Sequence, residues 1–152
     1  MQPLNLPPAT LKFKTVNSKK LVFDIIRKKY VALTPEEWVR QNFVHYLINQ
    51  LRYPAGLIAI EAVVKINSLN QRADIVVYNR KGKPVLIVEC KAPKVRIDNS
   101  VFEQAARYNI SLGVNYLLVT NGLKHYCSLL DLEHKSYKML KSVPAFDDID
   151  RQ

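Results

Sequence analysis

Asp74, Glu89 and Lys91 fall in the pattern D-x14-E-x-K, two carboxylates and an ammonium that chemistry can use together. The stretches that carry them, Arg72-Ala73-Asp74-Ile75-Val76-Val77-Tyr78 and Pro84-Val85-Leu86-Ile87-Val88-Glu89-Cys90-Lys91, are rich in Val and Ile. The turn-forming Asn79-Arg80-Lys81-Gly82-Lys83 separates them, so both read as strands. Side chains alternate along a strand. Val85, Ile87, Glu89 and Lys91 are expected on one face and Leu86, Val88 and Cys90 on the other, which implies a strand buried on both sides. Antiparallel pairing through the short turn brings Asp74 back beside Glu89. Burying an uncompensated charge is expensive, and two readings of these charges are open. One is a salt bridge of Lys91 with Asp74 or Glu89 that caps the strand ends. The other is a divalent-metal site, because two close carboxylates suit Mg²⁺ and a neighbouring lysine can orient a water and offset developing negative charge.

The elements that must position these groups follow from the rest of the chain. Its 152 residues suit one domain with a real core, and the 48% hydrophobic fraction is ordinary for a globular protein. No apolar run reaches the length of a membrane span, and no signal-peptide pattern opens the chain. Cys90 and Cys127 sit in apolar runs and read as buried thiols rather than a disulfide or a zinc pair. A cytoplasmic location is the default expectation. The formal charge of +10 favours a polyanionic partner such as nucleic acid.

Residues 1–10 carry three prolines and read as an extended arm; 11–143 read as a single domain and 144–152 as an acidic tail. Leu11–Val16 and Leu21–Ile25 suggest a hairpin. Between Lys12 and Lys29 stand seven basic residues, among them Lys12, Lys14, Lys19 and Lys20, against the single acid Asp24. This stretch would either grip phosphates or form a solvated outer face. Thr34-Pro35-Glu36-Glu37 is a helix start, with Thr34 as N-cap and Glu37 completing a capping box. The helix is expected to run to about Leu51, burying Val39, Phe43, Val44, Leu47, Ile48 and Leu51. Leu57–Ile66 reads as a strand, with Glu61 at its solvent or site-facing side. Pro93 stops the strand that holds Lys91. A second helix from about Ser100 to Gly113 puts Gln104 and Tyr108 on one face. Asn115–Thr120 then returns as a parallel strand through that helix, and two further strands follow. His125 and His134 read as surface or packing histidines.

Asp74 with Glu89-Cys90-Lys91 resembles the signature of the PD-(D/E)xK nuclease superfamily, with Ala73 where the pattern has proline. Gln104-Ala105-Ala106-Arg107-Tyr108 resembles the QxxxY motif that follows it in one branch. More narrowly, Thr34–Gln41, Arg72–Tyr78, Val88–Pro93, Phe102–Asn109 and Leu118–Gly122 resemble the nuclease domain at the N-terminus of type I restriction enzyme R (HsdR-type) subunits, over about residues 20–130. The resemblance implies an α/β fold with a mixed sheet: a restriction-endonuclease-like core of helix, three strands, helix and strand, with extra C-terminal strands. It implies a DNA endonuclease using Mg²⁺ or Mn²⁺, held by Asp74, Glu89 and the Cys90 main-chain carbonyl. Lys91 would position the attacking water, Gln104 would hold Lys91, and Glu37 would add a contact from the first helix. Tyr108, Arg40 and the basic hairpin would touch DNA. The alternative is a non-catalytic nucleic-acid-binding or accessory module of the same fold. A helicase or specificity subunit and a second copy of the chain are the expected protein partners. No GxxxxGK[ST] is present, so ATP-driven translocation is not expected of this chain.

Overall fold

Proline has no N–H to lose at the first helical position, and a threonine before it can satisfy a free amide. In the computed structural model, which describes residues 1–66 and 69–151, Pro35–Asn49 accordingly forms α1, with Thr34 Oγ1 accepting from the Glu37 N–H at 3.0 Å. The capping box is only half made. The Thr34 N–H donates to the Ala32 carbonyl, because the Glu37 carboxylate is drawn to arginines instead.

Three short strands precede the helix: β1 (Phe13–Val16), β2 (Lys19–Asp24) and β3 (Lys29–Ala32), paired antiparallel in that order. The expected hairpin is there, and β3 adds to it. Six strands form the main sheet in the order β4 (Ile58–Ile66), β5 (Leu69–Tyr78), β6 (Pro84–Cys90), β7 (Tyr116–Thr120), β8 (His125–Asp131) and β9 (Ser136–Met139). Only β6 and β7 pair in parallel, joined by α2 (Asn99–Leu112). Asp98 caps α2, and Gly113 ends it in the left-handed region, at φ 77°. This is a mixed-sheet α/β fold with the expected crossover.

The sheet has a core on each face. Val39, Phe43, Val44 and Leu47 of α1 pack with Ile75, Val77, Leu86, Val88 and Leu118. Phe102, Ala105, Ala106 and Leu112 of α2 pack with Val76, Ile87, Leu117 and Val119. Strict alternation fails within β6. A register shift opposite Val77/Tyr78 leaves Val85 as an extra residue, so Val85 joins Leu86 and Val88 on the α1 side instead of following Ile87.

The segments before β1 and after β9 are both held to the core. In the N-terminal arm Leu4 and Leu6 pack on the core, and the Asn5 N–H donates to the Gly122 carbonyl at 2.8 Å. Gly122, at φ 85°, makes room for this: a Cβ there would lie 2.7 Å from Leu4 Cδ2. At the other end the acidic residues form a short helix, α3 (Phe146–Ile149), because Phe146 and Ile149 are fully buried anchors. Arg80 pairs with Asp150 beside it; Gln152 lies outside the described residues. Cys90 and Cys127 are free, buried thiols. Among the described residues no helix is long and apolar enough to cross a membrane.

Candidate active site

The last antiparallel pair of β5 and β6 on this side is Ile75 with Val88, which leaves Asp74 beside Glu89 at the point where the ladder ends. There Asp74 substitutes its side chain for a backbone acceptor: Oδ2 takes the Cys90 N–H at 2.7 Å. The other edge of β6 is held by β7, with Glu89 opposite Val119, Cys90 opposite Thr120, and the Lys91 N–H on the Thr120 carbonyl at 2.8 Å. The backbone under Glu89, Cys90 and Lys91 is therefore fixed from both sides. The Glu89 carboxylate is half-buried and makes no hydrogen bond among the described residues. Burial raises its pKa above the ordinary 4.5; Lys91 pulls it down and Asp74 pushes it up again, and the net shift is upward.

The other oxygen of Asp74 faces α1. Glu37, Arg40 and Gln41 lie three and four residues apart, hence on one helix face. Glu37 accepts from Arg40 Nε at 2.9 Å and from Gln41 Nε2 at 2.8 Å. Its Oε1 also takes Arg40 Nη2 and, at 3.2 Å, Arg27 Nη2. Burial pushes the Glu37 carboxyl up, but hydrogen bonds from Arg40 and Gln41 and the charges of Arg40 and Arg27 outweigh it, so the pKa ends below 4.5. Arg40 then reaches Glu61 Oε1 at 3.4 Å and Asp74 Oδ1 at 3.6 Å. Burial disfavours its charge, yet Glu37, Asp74 and Glu61 hold it protonated more firmly than usual.

Glu61 comes from β4. The pairs Ile60–Ile75 and Ala62–Ala73 flank it and set it opposite Asp74. It also receives Arg27 at 3.3 Å and Arg72 at 3.0 Å. Its φ of 51° is the left-handed region, unusual for a non-glycine residue inside a strand and costing about 1–3 kcal/mol. Asp24, at the end of β2, takes the N–H groups of Ile26 and Arg27, the Arg27 side chain at 2.6 Å and Gln41 Nε2 at 3.1 Å. The small sheet is thereby tied to α1. A cavity of about 360 Å³ lies over the group, lined by Arg27, Glu37, Arg40, Glu61, Asp74 and Cys90 among others.

Asp74, Glu89 and Lys91 thus stand where the pairing of β5 with β6 ends, at the C-terminal end of β6, with Glu37 in the adjoining network. Arg40, expected at DNA phosphates, is turned inward with 8% of its surface exposed. Gln104 is exposed on α2 beside Arg107, Tyr108 and Ser111, and among the described residues it makes no hydrogen bond to Lys91. Tyr108 is exposed, its hydroxyl donating to the Asn70 carbonyl at 3.4 Å. From the sequence Asp24 and Gln41 receive no site role, Arg27 reads only as part of the basic stretch that could grip phosphates, and Glu61 only as solvent- or site-facing. The single acid in the apolar run of β4 was the available signal for Glu61. The single acid in the basic stretch was the signal for Asp24.

On the small sheet, Lys14 and Lys19 share a face with Phe23 and Tyr30. Lys14 Nζ sits 4.3 Å from the Tyr30 ring and Lys12 Nζ 5.9 Å from the Phe23 ring. Lys20 lies on the other face, 4.9 Å from the Phe13 ring.

Among the described residues no group of three or more His, Cys, Asp or Glu side chains is arranged to hold a metal ion. The donor set at Asp74 and Glu89 is smaller: two carboxylates and the Cys90 main-chain oxygen. It suits a hard cation that keeps several waters, and the half-buried Glu89 carboxylate without a hydrogen bond fits that use.

Residues 35–144 match the family described as type I restriction enzyme R protein N terminus. A structure assigned as a fragment of an HsdR subunit of a type I restriction enzyme from Vibrio vulnificus YJ016 is also similar. The TM-score is 0.54 and the identity 20%, over 78% of this chain and 25% of that one. At that identity the likeness speaks for the fold. The chain spans about a quarter of the length of that structure. No curated protein matches it. The family match takes in α1, both strands that carry Asp74, Glu89 and Lys91, and α2, and on that basis the chain belongs to the family of type I restriction enzyme R protein N termini.

Proposed function

We propose that this is a divalent-metal-dependent DNA endonuclease domain that hydrolyses phosphodiester bonds, of the restriction type its family suggests. The observation that carries the proposal is the meeting of Asp74, Glu89 and Lys91 where β5 and β6 part, with Asp74 oriented by the Cys90 N–H and Glu89 without a hydrogen bond among the described residues. Asp74, Glu89 and the Cys90 carbonyl would hold Mg²⁺ or Mn²⁺. Such an ion lowers the pKa of a bound water and draws charge from a phosphoryl oxygen. The Lys91 ammonium hydrogen-bonds the attacking water or the phosphate and offsets the charge that builds up as the bond to the leaving oxygen lengthens. Asp74→Ala is expected to cut no plasmid DNA while staying folded, with a lowered melting temperature because the Cys90 N–H and Arg40 lose an acceptor; equal cutting by both would overturn the assignment.

Glu89 binds a proton more readily than a free glutamate does, and a divalent ion has to displace that proton. Mn²⁺ affinity, measured by calorimetric titration from neutral pH downward, is therefore expected to fall while the pH is still above 4.5. Affinity that stays flat down to that value would remove Glu89 from the ligand set.

DNA is the proposed partner of the small sheet, whose outer face carries Lys14 and Lys19 with Phe23 and Tyr30, and whose Lys12 lies over the Phe23 ring. Lys20 would serve a strand passing the other face, and Tyr108 and Gln104 one passing α2. Each phosphate contact contributes roughly 0.9 to the slope of log affinity against log salt. The double change Lys14→Glu with Lys19→Glu should weaken DNA binding and lower that slope by about two. An unchanged slope would take this face out of the interface. A helicase or specificity subunit and a second copy of this chain are the proposed protein partners.

A non-catalytic DNA-binding module is the second reading. The ion pair of Asp74 with Arg40 favours it. Salt-sensitive DNA binding with no metal-dependent cleavage is what that reading predicts.

A further inference from the structure

Arg40 stands where a cation is needed. Asp74 spends Oδ2 on the Cys90 N–H, and the oxygen left for a metal, Oδ1, lies 3.6 Å from Arg40 Nη1. The same guanidinium is gripped by Glu37 from α1 and touches Glu61 from β4. Three carboxylates from three elements therefore converge on one buried, rigid cation whose fork suits several oxygens at once.

We propose that Arg40 is the resident cation of this centre: it bridges Asp74, Glu37 and Glu61 and offsets part of their charge while no divalent ion is bound, and a divalent ion at Asp74 must displace it or bind against its charge. The inference rests on the reading of Asp74 as a metal ligand. The neighbouring charges give it direction. Arg27, Arg40 and Arg72 face Asp24, Glu37, Glu61 and Asp74 in one connected network. Three positive charges against four negative leave a deficit of one. Two more positive charges turn it into an excess of one, and at the neighbouring strand end Lys91 cancels Glu89. A DNA phosphate removes that excess. Metal loading is then weak on the free protein and stronger once DNA is seated, which restrains hydrolysis until substrate is present. Arg40 acts through Asp74 and is a positioning residue.

The test is calorimetric titration of Mn²⁺ into the wild type and into Arg40→Met, with and without a short DNA duplex. The expected result is about tenfold tighter binding to Arg40→Met in the absence of DNA, and a gain on adding DNA that is larger for the wild type than for the variant. Removing a buried charge can unfold the variant, so the wild type is also read alone. On adding Mg²⁺, the Arg40 Nε–H resonance of labelled protein should move while that of the exposed Arg72 moves less. Metal binding at equal affinity in both proteins, or an unmoved Arg40 resonance with metal bound, overturns the inference and leaves the metal-dependent nuclease standing. A wild type that binds no divalent ion, with or without DNA, overturns both.

Discussion

Lys91→Ala is expected to lower DNA cleavage by about 10²–10³-fold while folding and Mn²⁺ affinity stay close to those of the wild type. The size follows from the place of the ammonium. Lys91 comes one residue after β6 and two after Glu89, where its charge already acts on that carboxylate. A donor fixed beside a reacting phosphate loses its effect when it is cut back to a methyl group. The small structural cost follows from the backbone: the Lys91 N–H stays on the Thr120 carbonyl whatever the side chain is. Rate, melting curve and metal titration on the same preparation check the claim. Undiminished cleavage would return Lys91 to the strand-capping salt bridge that the sequence alone left open.

Glu37→Ala should give the largest loss of stability in the molecule's polar interior, about 3–5 kcal/mol, read as a fall of roughly 10 °C in melting temperature. Glu37 is 5% exposed and receives Arg40, Gln41 and Arg27. Without it a buried guanidinium and an amide lose their main acceptor. The pH dependence has a definite sign. The folded Glu37 pKa lies below the unfolded value near 4.5, so its contribution is fully present above that value and is lost as pH falls through the folded pKa. The wild type should therefore lose more stability than Glu37→Ala on acidification below pH 4.5. Parallel losses would mean that the carboxylate is not held by its partners as described.

The main sheet and its two helices could be read from the residues because each announces itself locally: Thr34-Pro35 at the start of α1, Val and Ile runs for β5 and β6, and the strand–helix–strand spacing around α2. Asp74, Glu89 and Lys91 shared a linear pattern, and a short antiparallel turn left them one way to meet. What the residues hid was direction. Arg27 and Arg40 add to the net charge like any surface lysine, yet both point inward: each meets an acid three residues before it, Asp24 and Glu37, and Glu61 arrives from β4, distant in sequence. β3 is four residues long and carries no strong alternation. α3 is masked by its aspartates, although Phe146 and Ile149 stand one helical turn apart. The family match begins at residue 35, so the small sheet that supplies Asp24 and Arg27 precedes the matched region.

The most direct test of the central claim is cleavage of supercoiled plasmid and of single-stranded DNA by the wild-type protein in Mg²⁺, in Mn²⁺ and in EDTA. A metal-dependent nuclease centre requires cutting with either ion and none in EDTA. DNA that stays intact with either metal while still being bound in a salt-sensitive way, or that is cut equally in EDTA, would contradict it.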